Sequence, residues 1–162
     1  MRKSTPHTNS VAGNSTKYES YREAWSRIDS ACEDTYFLEA ITIEESIISD
    51  RIISYLSRPS SPKPLKPKGK CRYPGFAELV DMVRKDVGGP VLHGDFTDLF
   101  TALDQWRDSR NTAIHAIVKS DPGTPTHPVE DFLADAQRCA EQGKDLARAV
   151  CAWHKAQLKK TS

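Results

Sequence analysis

The stretch "DTYFLEAITIEESIISDRIISYLSR", residues 34–58, decides the fold class. Its centre, "AITIEESII", is rich in β-branched residues and, taken alone, reads as a strand. The wider spacing argues for a helix. Leu38, Ile41, Ile48, Ile52 and Tyr55 recur at the three- and four-residue intervals of a helical stripe, and two glutamates interrupt the apolar run. The spacing predicts a helix over about 32–56.

The neighbouring segments carry the same period. "YESYREAWSRIDSA" (18–31) sets Tyr18, Tyr21, Trp25 and Ile28 on one face, and only a kink is expected between this helix and the next. "FAELVDMVRKD" (76–86) is a short helix closed by Gly88, Gly89 and Pro90. Asp95 is a good N-cap for a long helix, "FTDLFTALDQWRDSRNTAIHAIVKS" (96–120), which "DPGTPTHP" then breaks. A last helix runs from about 128 to 158, with Phe132, Leu133, Ala136, Leu146, Val150 and Trp153 as its apolar face. No segment reads as a strand and no fixed-period repeat exists. The expected fold is all-α, an up-and-down bundle of four to five helices over 18–158.

Two stretches fall outside the helices. Residues 1–17, rich in Ser, Thr, Asn and Gly, read as a disordered tail. Residues 58–75 form a connector, "RPSSPKPLKPKGKCRYPG", with five prolines, six cations and no acid, which is expected to be extended and partly polyproline-like.

Composition narrows the functional classes. The 162 residues suit one domain, with about 120 of them packed. Lys and Arg number 23 against 22 Asp and Glu, which argues against bulk electrostatic binding of duplex DNA. The N-terminus lacks the apolar run of a secretory signal, and no stretch is apolar enough to span a membrane. Cys32, Cys71, Cys139 and Cys151 show no C-x-x-C pairing and no metal-like spacing with histidine. Cys139 and Cys151 share a helix and lie about 18 Å apart, too far for a bridge with each other. Reduced thiols in a cytoplasmic protein follow, with no metal and no cofactor. His93 sits in a Gly-rich loop that is not a G-x-x-x-x-G-K phosphate loop, and His127 and His154 have no partner pattern.

The fourth helix carries the chemistry. The heptad step from Phe96 and Leu103 arrives at Arg110, placing a guanidinium where the bundle wants an apolar side chain. A buried unpaired arginine is costly, so Arg110 needs an acid, a phosphate or an exposed edge. The second helix offers Glu45 at a core-like position, with Glu44 as the alternative. Asn111 and His115, four residues apart, share a face bordered by Arg110.

The string R-N-T-A-I-H (110–115) resembles the R-polar-x(3–5)-H signature of the HEPN superfamily of helical domains. The resemblance spans about 18–158 and rests on this motif and the helix order. It implies a metal-independent endoribonuclease acting as a homodimer, in a toxin or antiphage, abortive-infection setting. An antitoxin or a nucleotidyltransferase-like protein is then the expected partner. Arg110, Asn111 and His115 inherit the motif roles, and Glu45 joins them. Some branches carry a tyrosine two residues after the histidine, where this chain has Ile117.

The implied chemistry suits these residue types. A ribose 2′-OH attacks the adjacent phosphorus and leaves a 2′,3′-cyclic phosphate, which requires a base, an acid and positive charge on the transition state. One imidazole cannot serve both proton roles at once, whereas a two-fold dimer supplies two. Arg110 suits the charge role because its planar fork binds phosphate oxygens and stays protonated. Lys63, Lys66, Lys68, Lys70 and Arg72 of the connector are the expected contacts to the RNA backbone. Two rivals stand beside this reading. One is a non-catalytic HEPN-like scaffold for a nucleotidyltransferase-like partner. The other is a helical adaptor in which Arg110 and Glu45 only fix helix register.

Overall fold

The structure is a computed structural model that describes residues 9–61, 63–69, 72–116, 121–126 and 128–160. Within them the chain forms α1 (Asn9–Glu33), α2 (Phe37–Leu56), α3 (Phe76–Val87), α4 (Leu99–Ala116) and α5 (Val129–Lys160). No strand occurs among the described residues, only isolated bridges between Lys68 and Arg72 and between His93 and Phe96. The architecture is the expected all-α bundle.

Helix α2 packs against all four other helices. That position explains its composition, since a central helix is apolar over most of its circumference and tolerates the β-branched run that mimics a strand. Ile41, Ile48 and Ile52 are fully buried, and Leu38 and Tyr55 flank them. Around them pack Leu79 and Val80 of α3, Leu99, Leu103 and Trp106 of α4, and Leu146 and Val150 of α5. Phe100 and Trp153 meet edge-on at 5.0 Å. The Trp106 indole donates to the Cys139 carbonyl at 2.9 Å, fastening α4 to α5.

Several expected boundaries are corrected. Helix α1 reaches back to Asn9, into the stretch read as a tail; residues 1–8 lie outside the described part. The joint between α1 and α2 is a reversal, because Lys17 and Tyr21 of α1 both reach Asp50 of α2. Thr35, at φ 63°, turns the chain, with Tyr36 N–H donating to the Ala31 carbonyl at 2.7 Å and Thr35 N–H to that of Cys32 at 3.4 Å. This pairing is a Schellman closure with threonine in the place usually held by glycine. Helix α4 starts at Leu99, so Phe96 precedes it. Its cap is Asp98, which accepts from Val91 N–H at 3.1 Å and from the Thr101 hydroxyl. Burial pushes the Asp98 carboxyl up, but these bonds and one from Phe100 N–H outweigh it and hold the acid below its usual range.

The proline-rich connector is anchored at its start and closed by a turn near its end. Leu65 N–H donates to the Leu56 carbonyl at 2.9 Å, and Ser61 is buried. Arg58 lies over the Tyr55 ring at 3.8 Å and pairs with Asp86 at 2.7 Å, tying the start of the connector to the end of α3. Lys68 N–H donates to the Arg72 carbonyl at 2.8 Å, closing a turn in which Gly69 takes φ 66°. Cys32, Cys139 and Cys151 are free thiols; Cys71 lies outside the described residues.

Candidate functional site

The geometry around Arg110 follows from three helices meeting at one level. Helix α4 supplies Arg110 and Asn111, α2 supplies Glu45, and the first residue of α3, Phe76, lies beneath them. The Arg110 Nη2 forms an ion pair with Glu45 Oε2. Its Nη1 donates to Asn111 Oδ1 at 2.6 Å, and its central carbon sits 5.8 Å from the Phe76 ring centre. Phe76 in turn packs edge-on against Trp106 at 5.9 Å, joining the site to the core. The pair lies at the rim, with the Arg110 and Glu45 side chains 17% and 27% exposed. The guanidinium is thus half-dry: its Nε is buried without a partner while its terminal nitrogens are held.

Glu45, not Glu44, meets Arg110. Adjacent residues on a helix point about 100° apart, and Glu44 turns into the centre of the bundle, where it is fully buried. Neither of its carboxylate oxygens has a hydrogen-bond partner. It wedges against Gly143 of α5 and Trp106 of α4; a Cβ at Gly143 would overlap the carboxylate and lie 2.7 Å from Trp106 Cζ2. Lys144 is the cation that favours the charged form of Glu44, but its Nζ is engaged by Asp29 at 2.5 Å. Burial, with repulsion from Asp145 and only partial relief from Lys144, pushes the Glu44 carboxyl up to about 8.

Asn111 and His115 are exposed on the outer face of α4, and His115 lies in its last turn. Asn111 presents its oxygen to Arg110, as it must toward a group that only donates, so its NH₂ remains for another acceptor. His115 makes no ion pair or hydrogen bond with another described residue. Along the same helix Asp104 and Asp108 are balanced by Arg84 and Arg107, with Arg84 to Asp104 and Arg107 to Asp104 both at 2.8 Å. The expected tyrosine position, Ile117, lies outside the described residues, as do Lys70 and His127.

The connector cations are exposed. Lys63, Lys66, Lys68 and Arg72 form no ion pair with another described residue. His93 is half-buried in the loop before α4. His154 is buried on α5 with Nε2 3.2 Å from the Ser54 hydroxyl, and burial, with repulsion from Arg51, lowers its basicity.

No protein-family model, curated protein or solved structure matches this chain.

Proposed function

We propose that this protein is an endoribonuclease that cleaves RNA without a metal ion and acts as a homodimer. The observation that carries the reading is the mounting of Arg110. Glu45 and Asn111 each engage one terminal nitrogen of the guanidinium, leaving the second hydrogen on each for a phosphate oxygen. A cation fixed in this way stabilises developing charge with little reorganisation. His115 projects from the same helix into solvent and is free to shuttle a proton.

The chemistry assigns the roles. Arg110, with the Asn111 NH₂, holds the phosphate. His115 of one protomer takes the 2′-OH proton, and the second protomer's copy of that histidine protonates the departing 5′-oxygen. Glu45 orients Arg110 and does not touch substrate. Lys63, Lys66, Lys68 and Arg72 draw in the RNA backbone, together with Lys70 outside the described residues. The resemblance to HEPN domains adds a setting, a toxin or antiphage effector of the cytoplasm held by an antitoxin or nucleotidyltransferase-like partner. No helix among the described residues is long and apolar enough to cross a membrane.

The engagement of Arg110 by Glu45 also supports a second reading, a binding or scaffold module in which the pair fixes the register of α2 against α4. Cleavage separates the two. Purified protein should cut RNA in excess EDTA and leave 2′,3′-cyclic phosphate ends. His115→Ala should lower the rate by about 10²- to 10⁴-fold, the usual worth of an acid–base group, with an unchanged melting curve. Equal cleavage by His115→Ala, or activity lost in EDTA and restored by magnesium, refutes the proposal.

A further inference from the structure

Between Asp50 and Glu78 the chain contains cations and no acid. The fold gives that run a direction. It leaves the end of α2 at Leu56, where Arg58 is tied to Asp86 at the end of α3, and returns to the start of α3 at Phe76. Phe76 lies under the Arg110 guanidinium. The connector therefore leads from one end of the bundle to the level of the candidate site. Arg58 is neutralised along it, whereas Lys63, Lys66, Lys68 and Arg72 are exposed and form no ion pair with another described residue.

The last part of this path is shaped. A cleft of about 420 Å³ is lined by Lys68, Arg72, Tyr73, Pro74, Gly75 and Glu78. The Lys68–Arg72 bridge holds its basic turn closed. Tyr73, an aromatic residue 37% exposed, lies beside two cations. A tyrosine gains by covering its ring, so an exposed one at a concave basic surface is a ready platform for a flat partner. Glu78 adds an acceptor to the cleft, suited to the exocyclic amine of a base and unsuited to a bare phosphate or an anionic lipid surface.

We propose that this cleft binds single-stranded RNA, with one base stacked on Tyr73 and the adjoining phosphates on Lys68 and Arg72, and that it delivers the next phosphates to Arg110. Tyr73 lies three residues from Phe76, so its backbone is at most about 11 Å from the residue beneath Arg110. A paired strand keeps its bases stacked inside the helix and cannot offer one to Tyr73, which makes the cleft selective for unpaired RNA. The inference rests on the ribonuclease reading only for the direction of delivery.

The test is fluorescence anisotropy with a short unstructured oligoribonucleotide, its duplex, its DNA counterpart and phosphatidylserine vesicles, using the His115→Ala chain in EDTA so that no turnover intrudes. Single-stranded RNA should bind tightest. Tyr73→Ala should weaken it about tenfold and Tyr73→Phe should leave it unchanged. Lys68→Ala and Arg72→Ala should each flatten the salt dependence by about 0.7 in the slope of log K against log salt. Equal affinity for duplex, tighter binding to DNA or vesicles, or indifference to Tyr73→Ala overturns the proposal. Tyr73-dependent binding in a wild-type chain that cleaves nothing supports the cleft and refutes the nuclease. Cleavage that ignores Tyr73→Ala does the reverse.

Discussion

Glu44 makes stability fall as pH rises, and Glu44→Gln should remove that dependence. In the unfolded chain the carboxyl ionises near its usual 4.5, while in the bundle burial pushes it up to about 8. Between those values the folded state holds a proton that the unfolded state has released. Each pH unit then costs ~1.4 kcal/mol. The penalty is absent below pH 4.5, about 3 kcal/mol at pH 7, and about 5 kcal/mol from pH 8 upward, where both states are ionised. Glutamine keeps the shape of the protonated acid and cannot ionise. The variant should match wild type within about 1 kcal/mol at pH 5 and exceed it by about 3 kcal/mol at pH 7.

Denaturant unfolding followed by tryptophan fluorescence suits the measurement, because Trp106 and Trp153 are buried in the core. The difference between the two proteins isolates Glu44 from groups with other signs. His154, its basicity lowered, loses stability as pH falls below its usual 6.5, and Asp98, held low, loses it in acid. Both contribute equally to wild type and variant. Parallel stability curves from pH 5 to 9 would refute the reasoning and mean that Glu44 finds a partner in solution.

Other substitutions probe neighbouring contacts. Arg110→Ala should cost about 2 kcal/mol in the same assay, between the values for exposed and buried pairs, and a loss under 0.5 kcal/mol would show that the rim pair does not hold α2 to α4. Gly143→Ala, normally favourable inside a helix, should destabilise by about 2 kcal/mol, since the new methyl overlaps Glu44 and Trp106; a stabilised variant would contradict the packing. If two copies build one active centre, heterodimers of wild type with His115→Ala should each cleave far below half the wild-type dimer rate, and a strictly monomeric chain with full activity in sedimentation would exclude that composite centre.

What could be read from the chain follows from what periodicity encodes. The stripe through Ile41, Ile48 and Ile52 reports burial against neighbours, so α2 was legible despite its β-branched run. Gly88, at φ 74°, ends α3 as its residue type foretells. The α1–α2 reversal was not legible, because Thr35 occupies the left-handed position without a glycine to mark it. Asp95 and Asp98 are equally good caps by type, and the bond from Val91 N–H, set by the loop's path, selects Asp98. Tyr73 escaped notice because its neighbours are prolines and cations, and only the turn made by Lys68 and Arg72 gives its ring a cleft.

The two adjacent glutamates of α2 show where helical spacing stops deciding. Either could have met Arg110, since both interrupt the apolar stripe. Glu45 is the one that meets Arg110, at the rim, where water still reaches the pair. Glu44, one step round the helix, faces Gly143 and Trp106, neither of which answers a carboxylate with a side-chain hydrogen bond. It is therefore tolerated mainly as a neutral acid. The same helix thus holds one glutamate paired with Arg110 at the rim and another, buried in the core, whose protonated form is favoured.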